Sequence, residues 1–141
     1  MKIIEKSDLK NKSELCFSVR YCETDQMGVA NHGRYFDWYS EGRVKWLRDL
    51  GYEYSAWEKQ KIVLPVIHLT ADYKKSAYFQ QNLQLFTKMT KISKKSINFS
   101  YELFHESQMI ATGTTNHLFL IDGKVSCVDN VIYLKLKGVL E

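Results

Sequence analysis

The sequence has little proline and glycine: one proline and seven glycines among 141 residues, with no repeat or biased tract. This scarcity excludes collagen-like, low-complexity and solenoid chains. No apolar run approaches the ~20 residues that a membrane-crossing helix needs. Met1 to Lys12 also contains neither the apolar region nor the small-residue cleavage site of a secretory signal. We therefore expect a cytoplasmic protein without membrane insertion.

Cysteine and histidine are also too sparse to suggest a metal site. Cys16, Cys22 and Cys127 cannot all pair within one chain, and their spacing is not that of metal ligands. The histidines of the predicted strands lie in separate segments. We expect reduced thiols and neither a metal nor a redox cofactor.

The charge balance is modest, with a formal net charge of +4. The lysines form short clusters, Lys74-Lys75 and Lys94-Lys95, and not the long basic stripe that is typical of nucleic-acid-binding proteins. Nucleic acid is therefore not predicted as a partner. A mild positive potential also suits a substrate that carries phosphates.

What the sequence does have is bulky apolar residues, 45% hydrophobic and 13% aromatic, enough for a single domain over residues 1–141 with its own core. From Leu15 to Tyr21 the odd positions are apolar, which predicts a strand with one buried face. From about Gly33 to Leu50 the apolar spacing changes to three and four, which predicts a long helix. Gly42 inside it indicates close packing against a sheet backbone, and Gly51 indicates its end.

After the helix the period returns to two. Strands are predicted near 62–73, 83–91, 96–104 and 109–121, and Asp122-Gly123 predicts a tight turn into a strand at Val125 to Val128. Pro65 belongs at a sheet edge or bulge. The order predicts an α+β fold in which one antiparallel sheet is wrapped around one long central helix. Because such a sheet has open edges, we expect a homodimer or homotetramer.

One segment carries a family resemblance. It contains Val19-Arg20-Tyr21, then Glu23-Thr24-Asp25-Gln26-Met27-Gly28-Val29, followed by His32, Tyr35, Glu41 and Arg43. These residues resemble the 4-hydroxybenzoyl-CoA thioesterase branch of the hotdog-fold superfamily, including short bacterial acyl-CoA thioesterases of the Tol-Pal region. The similarity continues more loosely through Ala71-Asp72-Tyr73 and Ala111-Thr112-Gly113.

The resemblance implies a hotdog fold and assigns roles to single residues. It implies that Asp25 is the nucleophile or general base and that the backbone N–H at or beside His32 stabilises the oxyanion. The substrate-binding candidates in the same segment are Gly28, Val29, Tyr35 and Glu41. No cofactor is implied, since coenzyme A is part of the substrate.

The chemistry of the residues is consistent with these roles. A carboxylate is ionised at neutral pH, and a thiolate leaves with little acid assistance, so one carboxylate and one electrophilic stabiliser suffice for thioester hydrolysis. Without the resemblance, an aspartate three residues before a glycine is far more often a loop or cap residue than a catalyst, and His32 alone is more often a helix-start residue.

Two features complicate the assignment of catalytic residues, one on the predicted helix and one beside the Asp25 motif. Family members more often carry a glutamate where this chain has Ser40, so Glu41 and Asp37 are only secondary catalytic candidates. Cys22 next to the motif suggests a thiol nucleophile, but we expect it to be buried and inert.

We therefore predict hydrolysis of an acyl-CoA to a free acid and coenzyme A. Hydrolysis of acyl groups on acyl carrier protein is the nearest alternative, because the acidic surface of that partner suits a basic chain. A non-catalytic acyl-CoA-binding module is the alternative from another class. Binding to nucleic acid through the lysine clusters is a third, and it would weaken steeply with salt.

Overall fold

The computed structural model describes residues 11–140. The prediction about a secretory signal concerns Met1 to Lys12 and so lies almost entirely outside the described residues. The first half of the described chain contains β1 (Lys12–Ser18), the long helix α1 (His32–Asp49) and the short helix α2 (Tyr54–Lys59). The second half consists of strands followed by a terminal helix.

The strands form two antiparallel sheets. In chain order they are β2 (Ile62–Val63), β3 (Val66–Tyr73), β4 (Asn82–Ile92), β5 (Ser96–His105), β6 (Gln108–Leu118), β7 (Leu120–Ile121) and β8 (Lys124–Val125), followed by α3 (Asn130–Leu140). The larger sheet has the order β1-β4-β5-β6-β3, and the smaller one has the order β2-β7-β8. The predicted α+β architecture, with an antiparallel sheet around the long helix, is confirmed.

The helix α1 begins and ends where local signals place it. Asn31 caps its start, because the Asn31 side chain accepts a hydrogen bond from the Gly33 N–H at 3.1 Å. At the other end Gly51 adopts φ +93°, and its N–H bonds to the Arg48 carbonyl at 2.9 Å. This left-handed residue satisfies the last carbonyls of the helix, so the predicted stop at Gly51 is confirmed.

The core lies between α1 and the inner face of the larger sheet. Tyr39 and Trp46 of α1 are fully buried, and the Tyr39 ring stacks on Tyr101 of β5 with a centroid distance of 4.3 Å. Gly42 is packed as closely as predicted, although against side chains and not against backbone. A Cβ at Gly42 would lie 2.5 Å from the Thr87 hydroxyl and 2.8 Å from a Leu85 methyl of β4.

The strand before the helix is shorter than predicted. β1 ends at Ser18, and Tyr21 lies in a single 3-10 turn with 77% of its surface exposed. The prediction that Tyr21 belongs to the buried face is therefore wrong. The prediction for Cys22 is also wrong, because this thiol is exposed in the same turn.

Two predicted strands are each divided between the two sheets. The segment 62–73 breaks at Leu64 and Pro65 into β2 and β3, and the segment 109–121 breaks at the buried Phe119 into β6 and β7. Pro65 directly precedes the edge strand β3, whose pairing is irregular between Val66 and His68, as the proline predicted.

The predicted turn at Asp122-Gly123 is confirmed by positive φ at both residues. The strand that follows it, β8, covers only Val125 of the expected residues and does not continue to Val128. The helices α2 and α3 lie in segments for which the sequence predicted no element. Across residues 11–140, helices of the length and apolarity needed to cross a bilayer are absent.

Candidate active site

A tight loop presents Asp25 ahead of α1. The Asp25 N–H and the Val29 carbonyl are joined by a 2.9 Å hydrogen bond, and the Gly28 N–H donates to the Asp25 carbonyl at 3.0 Å. Gly28 has φ +77°, a conformation that a residue with a side chain adopts only with strain. This glycine therefore allows the chain to reverse and return towards the helix.

The Asp25 side chain is held by its own loop. One carboxylate oxygen accepts hydrogen bonds from the Met27 N–H at 2.8 Å and the Val29 N–H at 3.4 Å. The other oxygen accepts no hydrogen bond from residues 11–140, and the residue is exposed. Asp25 thus combines a fixed orientation with one oxygen that is open to a substrate or to water.

The start of α1 offers a free backbone donor. His32 is the first residue of the helix, and within the described chain its N–H has no hydrogen-bond acceptor. The Tyr73 hydroxyl, from the end of β3, donates to the His32 carbonyl at 3.1 Å. Free N–H groups and the helix dipole together make such a site favourable for a developing anion.

Asp25 and His32 line the same cleft, which has a volume of about 260 Å³. Four of the six residues predicted for the site contribute to its wall, and Gly28 shapes the loop behind them. The full lining consists of Asp25, Val29, Ala30, His32, Tyr35, Tyr73, Lys74, Lys75 and Ser76. Tertiary folding therefore brings the predicted acid, the helix start and two cations to one place.

Two tyrosines form the aromatic wall of this cleft. The rings of Tyr35 and Tyr73 meet edge to face with centroids 4.8 Å apart, and the His32 ring lies 5.7 Å from Tyr73. Burial raises the pKa of Tyr35 and of Tyr73 above the ordinary value, so both hydroxyls stay protonated at neutral pH. Tyr73 was not predicted as a site residue, because it reaches the cleft from a strand forty residues away in sequence.

Glu41 lies elsewhere. It is nine residues after His32 on α1, which corresponds to about 180° around the helix axis. Glu41 lines a different surface depression of about 310 Å³, together with residues of β1 and Arg20. The structure therefore does not bring this predicted substrate-binding residue to the cleft that contains Asp25.

A buried carboxylate joins the Asp25 loop to the helix. Glu23 is 3% exposed and accepts hydrogen bonds from the Arg20 N–H at 2.8 Å and the Trp38 indole N–H at 2.7 Å. Burial raises the pKa of Glu23, but these hydrogen bonds and the Arg20 charge outweigh burial, and its pKa falls below the ordinary value. The Glu23 carbonyl also accepts the Asn31 N–H at 3.0 Å. Glu23 is thus a positioning residue that the sequence analysis missed.

We expect Glu23→Gln to lower the free energy of unfolding by about 1–3 kcal/mol near neutral pH, because a neutral amide accepts these hydrogen bonds less strongly. Ionised Glu23 stabilises the native state fully above its ordinary pKa, and this contribution is lost as the pH falls through the lowered native pKa. The difference between the two proteins should therefore shrink on acidification. Urea unfolding of the natural protein and of Glu23→Gln, from about pH 7 to about pH 3, measures this difference in unfolding free energy.

The exposed Glu58 of α2 is a control for this experiment, since Glu58→Gln removes a charge without removing a buried contact. It should leave unfolding unchanged at every pH. A difference for Glu23→Gln that stays constant or grows on acidification would contradict the assigned role of the carboxylate.

Two lysines stand at the mouth of the cleft. The backbone N–H groups of Lys74 and Lys75 both bond to the Ile110 carbonyl, at 2.9 Å and 3.1 Å, so the backbone of this segment is anchored to β6. Both side chains line the cleft. Lys94 and Lys95, the other lysine cluster of the sequence, occupy the turn between β4 and β5 and do not line the cleft.

Comparison with known proteins supplies the family context. Residues 19–134 match the family model described as the thioesterase-like superfamily. The protein TT1821 of Thermus thermophilus is 30% identical, with a TM-score of 0.88 over 92% of this chain and 99% of that one. The DHNA-CoA thioesterase of Staphylococcus aureus is 32% identical, with a TM-score of 0.79 over 86% of this chain and 83% of that one. The 1,4-dihydroxy-2-naphthoyl-CoA hydrolase of Synechococcus elongatus is 26% identical over 72% of this chain and 76% of its own.

Proposed function

The chain belongs to the thioesterase-like superfamily and is a thioester hydrolase with the hotdog fold, and from this premise we propose that it hydrolyses acyl-CoA at the cleft of Asp25 and His32. The observation that carries the proposal is that a carboxylate oxygen and a helix-start N–H, both without partners among the described residues, line one cleft. Assignment to the 4-hydroxybenzoyl-CoA or Tol-Pal branch remains a prediction.

The carboxylate of Asp25 serves in one of two balanced routes. As a nucleophile, its open oxygen attacks the thioester carbon, the C–S bond breaks, and water then cleaves the resulting anhydride to acid and free Asp25. As a general base, Asp25 takes a proton from water while the hydroxide attacks, and this proton passes to the departing thiolate. Both routes end with a free acid and coenzyme A.

The start of α1 stabilises the charge that develops in either route. When the carbonyl carbon becomes tetrahedral, its oxygen gains negative charge and accepts the His32 N–H. The helix dipole adds to this stabilisation in the first turn. The hydrogen bond from Tyr73 to the His32 carbonyl supports the role, because it fixes the peptide at the helix start.

A panel of acyl-CoA thioesters, with short, long, branched and aromatic acyl groups, tests the proposal. Release of free coenzyme A thiol with at least one member is expected, and no release with any of them would contradict it. The same acyl group on acyl carrier protein tests the alternative carrier, which the two lysines at the cleft mouth also suit. A higher kcat/KM on the protein carrier would reverse the preference proposed here.

Lys74 and Lys75 suit the phosphates of coenzyme A. We expect the double variant Lys74→Ala/Lys75→Ala to lower kcat/KM for acyl-CoA by roughly 2- to 30-fold, since each exposed ion pair contributes up to about 1 kcal/mol. The acyl-pantetheine thioester lacks these phosphates and should be unaffected. Lys94→Ala/Lys95→Ala provides the matched control, and an equal effect of both double variants would contradict the placement.

The same proposal includes assembly into a homodimer or homotetramer. β3 is an edge strand whose outer edge pairs with no other described strand, and it exposes Val66 and Ile67. Because an open edge of this kind favours pairing with another strand, β3 is the proposed contact between copies. Light scattering of the purified protein tests it, and a monomer at every concentration would contradict it.

A further inference from the structure

Arg43 of α1 is a half-buried cation without an acidic partner. Its guanidinium donates hydrogen bonds to the Tyr101 hydroxyl at 3.1 Å and to the Ser40 hydroxyl at 3.0 Å. Among residues 11–140 no carboxylate lies within salt-bridge distance of it. Because a partly desolvated charge is costly without a counter-charge, this arrangement points to an anion that comes from outside the described chain.

A buried hydrogen-bond network holds the guanidinium in place. The Tyr101 hydroxyl forms a hydrogen bond with the Thr115 hydroxyl at 2.6 Å. The Thr115 hydroxyl in turn bonds to Nε2 of His117 at 2.7 Å, and Nδ1 of His117 bonds to the Leu64 carbonyl at 3.0 Å. Tyr101, Thr115 and His117 are at most 1% exposed.

The direction of every hydrogen in this network follows from its last member. The Leu64 carbonyl can only accept, so Nδ1 of His117 carries the proton and Nε2 accepts from Thr115. Thr115 then accepts from the Tyr101 hydroxyl, which leaves the Tyr101 oxygen to accept from Arg43. The whole network thus orients a single acceptor towards the guanidinium. A network of this kind fixes the position of Arg43 far more firmly than a solvated side chain.

The guanidinium forms the polar wall of a pocket of about 220 Å³. The other walls are mainly apolar, with the lining made up of Ser40, Arg43, Val44, Leu47, Tyr54 and Leu64. The Arg43 guanidinium donates only two hydrogen bonds within the described chain, so other N–H donors of its planar fork remain for a ligand. The pocket therefore suits a ligand with an apolar stem and an anionic end.

The pocket lies on the same side of α1 as the proposed reaction centre. Arg43 is eleven residues after His32 on α1, which places it about 20° around the helix axis and about 16 Å along it. Phe36 and Ser40 occupy the same face between them. An acyl group whose carbonyl sits at the His32 N–H can therefore run along this face towards Arg43.

We propose that the pocket at Arg43 receives the far end of the acyl group and selects acyl-CoA substrates whose acyl chain ends in a carboxylate. This inference rests on the proposed acyl-CoA hydrolysis. A terminal carboxylate pairs with the unused N–H groups of the guanidinium, whereas a terminal methyl group leaves the guanidinium desolvated and unpaired. An extended chain advances roughly 1.2 Å per bond, so about thirteen bonds span the distance of about 16 Å to Arg43.

Matched substrates test the inference. For chains of about twelve to about sixteen carbon atoms, kcat/KM is measured for each ω-carboxyacyl-CoA and for the plain acyl-CoA of equal length. We expect the carboxylate form to be preferred by roughly 10- to 100-fold at the best length. Arg43→Met should bring this ratio close to one, and Arg43→Lys should keep part of it. Arg48→Met, on the same helix but outside the pocket, should leave the ratio unchanged.

Tyr101→Phe provides a second approach if Arg43→Met does not fold. It removes the hydroxyl that orients the guanidinium and retains the ring, and it should lower the ratio without removing the charge. Hydrolysis of both substrate series with equal kcat/KM would overturn the inference and leave the proposed function standing. No hydrolysis of either series or of the acyl panel would overturn both.

A carboxylate of a second copy is the competing occupant. If Arg43→Met converts an oligomer into a monomer in light scattering and leaves the substrate ratio as it was, the anion belongs to the partner and the inference is overturned. A lower ratio in a variant of unchanged oligomeric state supports it.

Discussion

Replacing Asp25 by asparagine is expected to lower kcat for acyl-CoA hydrolysis by roughly 10²- to 10⁴-fold, the range measured for removal of a positioned acid or base. Asparagine has the same shape, and its side-chain oxygen can still accept the N–H groups of Met27 and Val29. The loop and the melting temperature should therefore be preserved. What is lost is the negative charge and the basicity of the open oxygen.

Three comparison variants make this test specific. Asp122→Asn changes an exposed aspartate of the β7–β8 turn and should have no effect on turnover. Asp37→Asn and Glu41→Gln remove the two carboxylates of α1 that the sequence analysis kept as secondary candidates. A large loss in either of these, with Asp25→Asn fully active, would assign the chemistry to α1 and contradict the Asp25 mechanism.

A labelling experiment distinguishes the two routes open to Asp25. In a single turnover in ¹⁸O-water, carboxylate attack followed by attack of water on the Asp25 carbonyl of the anhydride leaves the label in Asp25 and the product acid unlabelled. General-base catalysis places the label in the product acid and none in Asp25. Mass spectrometry of the product acid and of the peptide that contains Asp25, after one turnover, reads the difference.

Acidification is expected to destabilise this protein through His117, by about 3 kcal/mol between pH 6.5 and pH 4. Burial, together with the Arg43 charge, lowers the pKa of His117 to about 4, against the smaller opposing effect of the Leu64 and Pro65 carbonyls. In this interval the unfolded chain binds a proton at His117 and the native state does not. Stability is therefore complete above the unfolded pKa and declines as the pH falls towards the native pKa.

The hydrogen-bond network that ends at Arg43 is the structural reason why the native state disfavours protonated His117. Protonation of Nε2 would remove the acceptor to which the Thr115 hydroxyl donates in this network and would place a second cation near the guanidinium. His117→Gln is neutral at every pH, so its unfolding free energy should change less with pH, although it should be lower by about 1–3 kcal/mol at neutral pH.

Urea unfolding of both proteins between about pH 7 and about pH 4 measures the effect. The exposed His68 of β3 supplies the control, since His68→Gln should retain the steep pH dependence of the natural sequence. Identical pH dependence in the natural protein and in His117→Gln would show that His117 is not the group responsible.

Local signals were sufficient for much of the fold. The change from period two to a spacing of three and four residues predicted α1 to within one residue at each end, because one buried face imposes this spacing within a few turns. Asn31 at the N-cap and Gly51 at the C-terminal end agree with it. The loop at Asp25 was also predictable, since aspartate and glycine at this spacing favour a chain reversal.

Long-range contacts account for the errors and omissions. Leu64 and Phe119 have the apolar character of strand residues, yet each marks the point where the chain passes from one sheet to the other. Glu23 resembles a surface residue in sequence, and its burial depends on Trp38, fifteen residues away. Glu41 stands close to the motif in sequence, but the helical twist turns it away from His32.

The sequence by itself determined the strand, loop and helix that carry Asp25 and His32, because periodicity, capping and turn preference act between residues close together in the chain. Only the tertiary structure decided what surrounds them. Tyr73, Lys74 and Lys75 reach the cleft from β3 and the segment after it, and Tyr101, Thr115 and His117 meet Arg43 only through the register of β5 and β6. Sheet register joins residues that local preferences do not connect, so these contacts had to come from the fold.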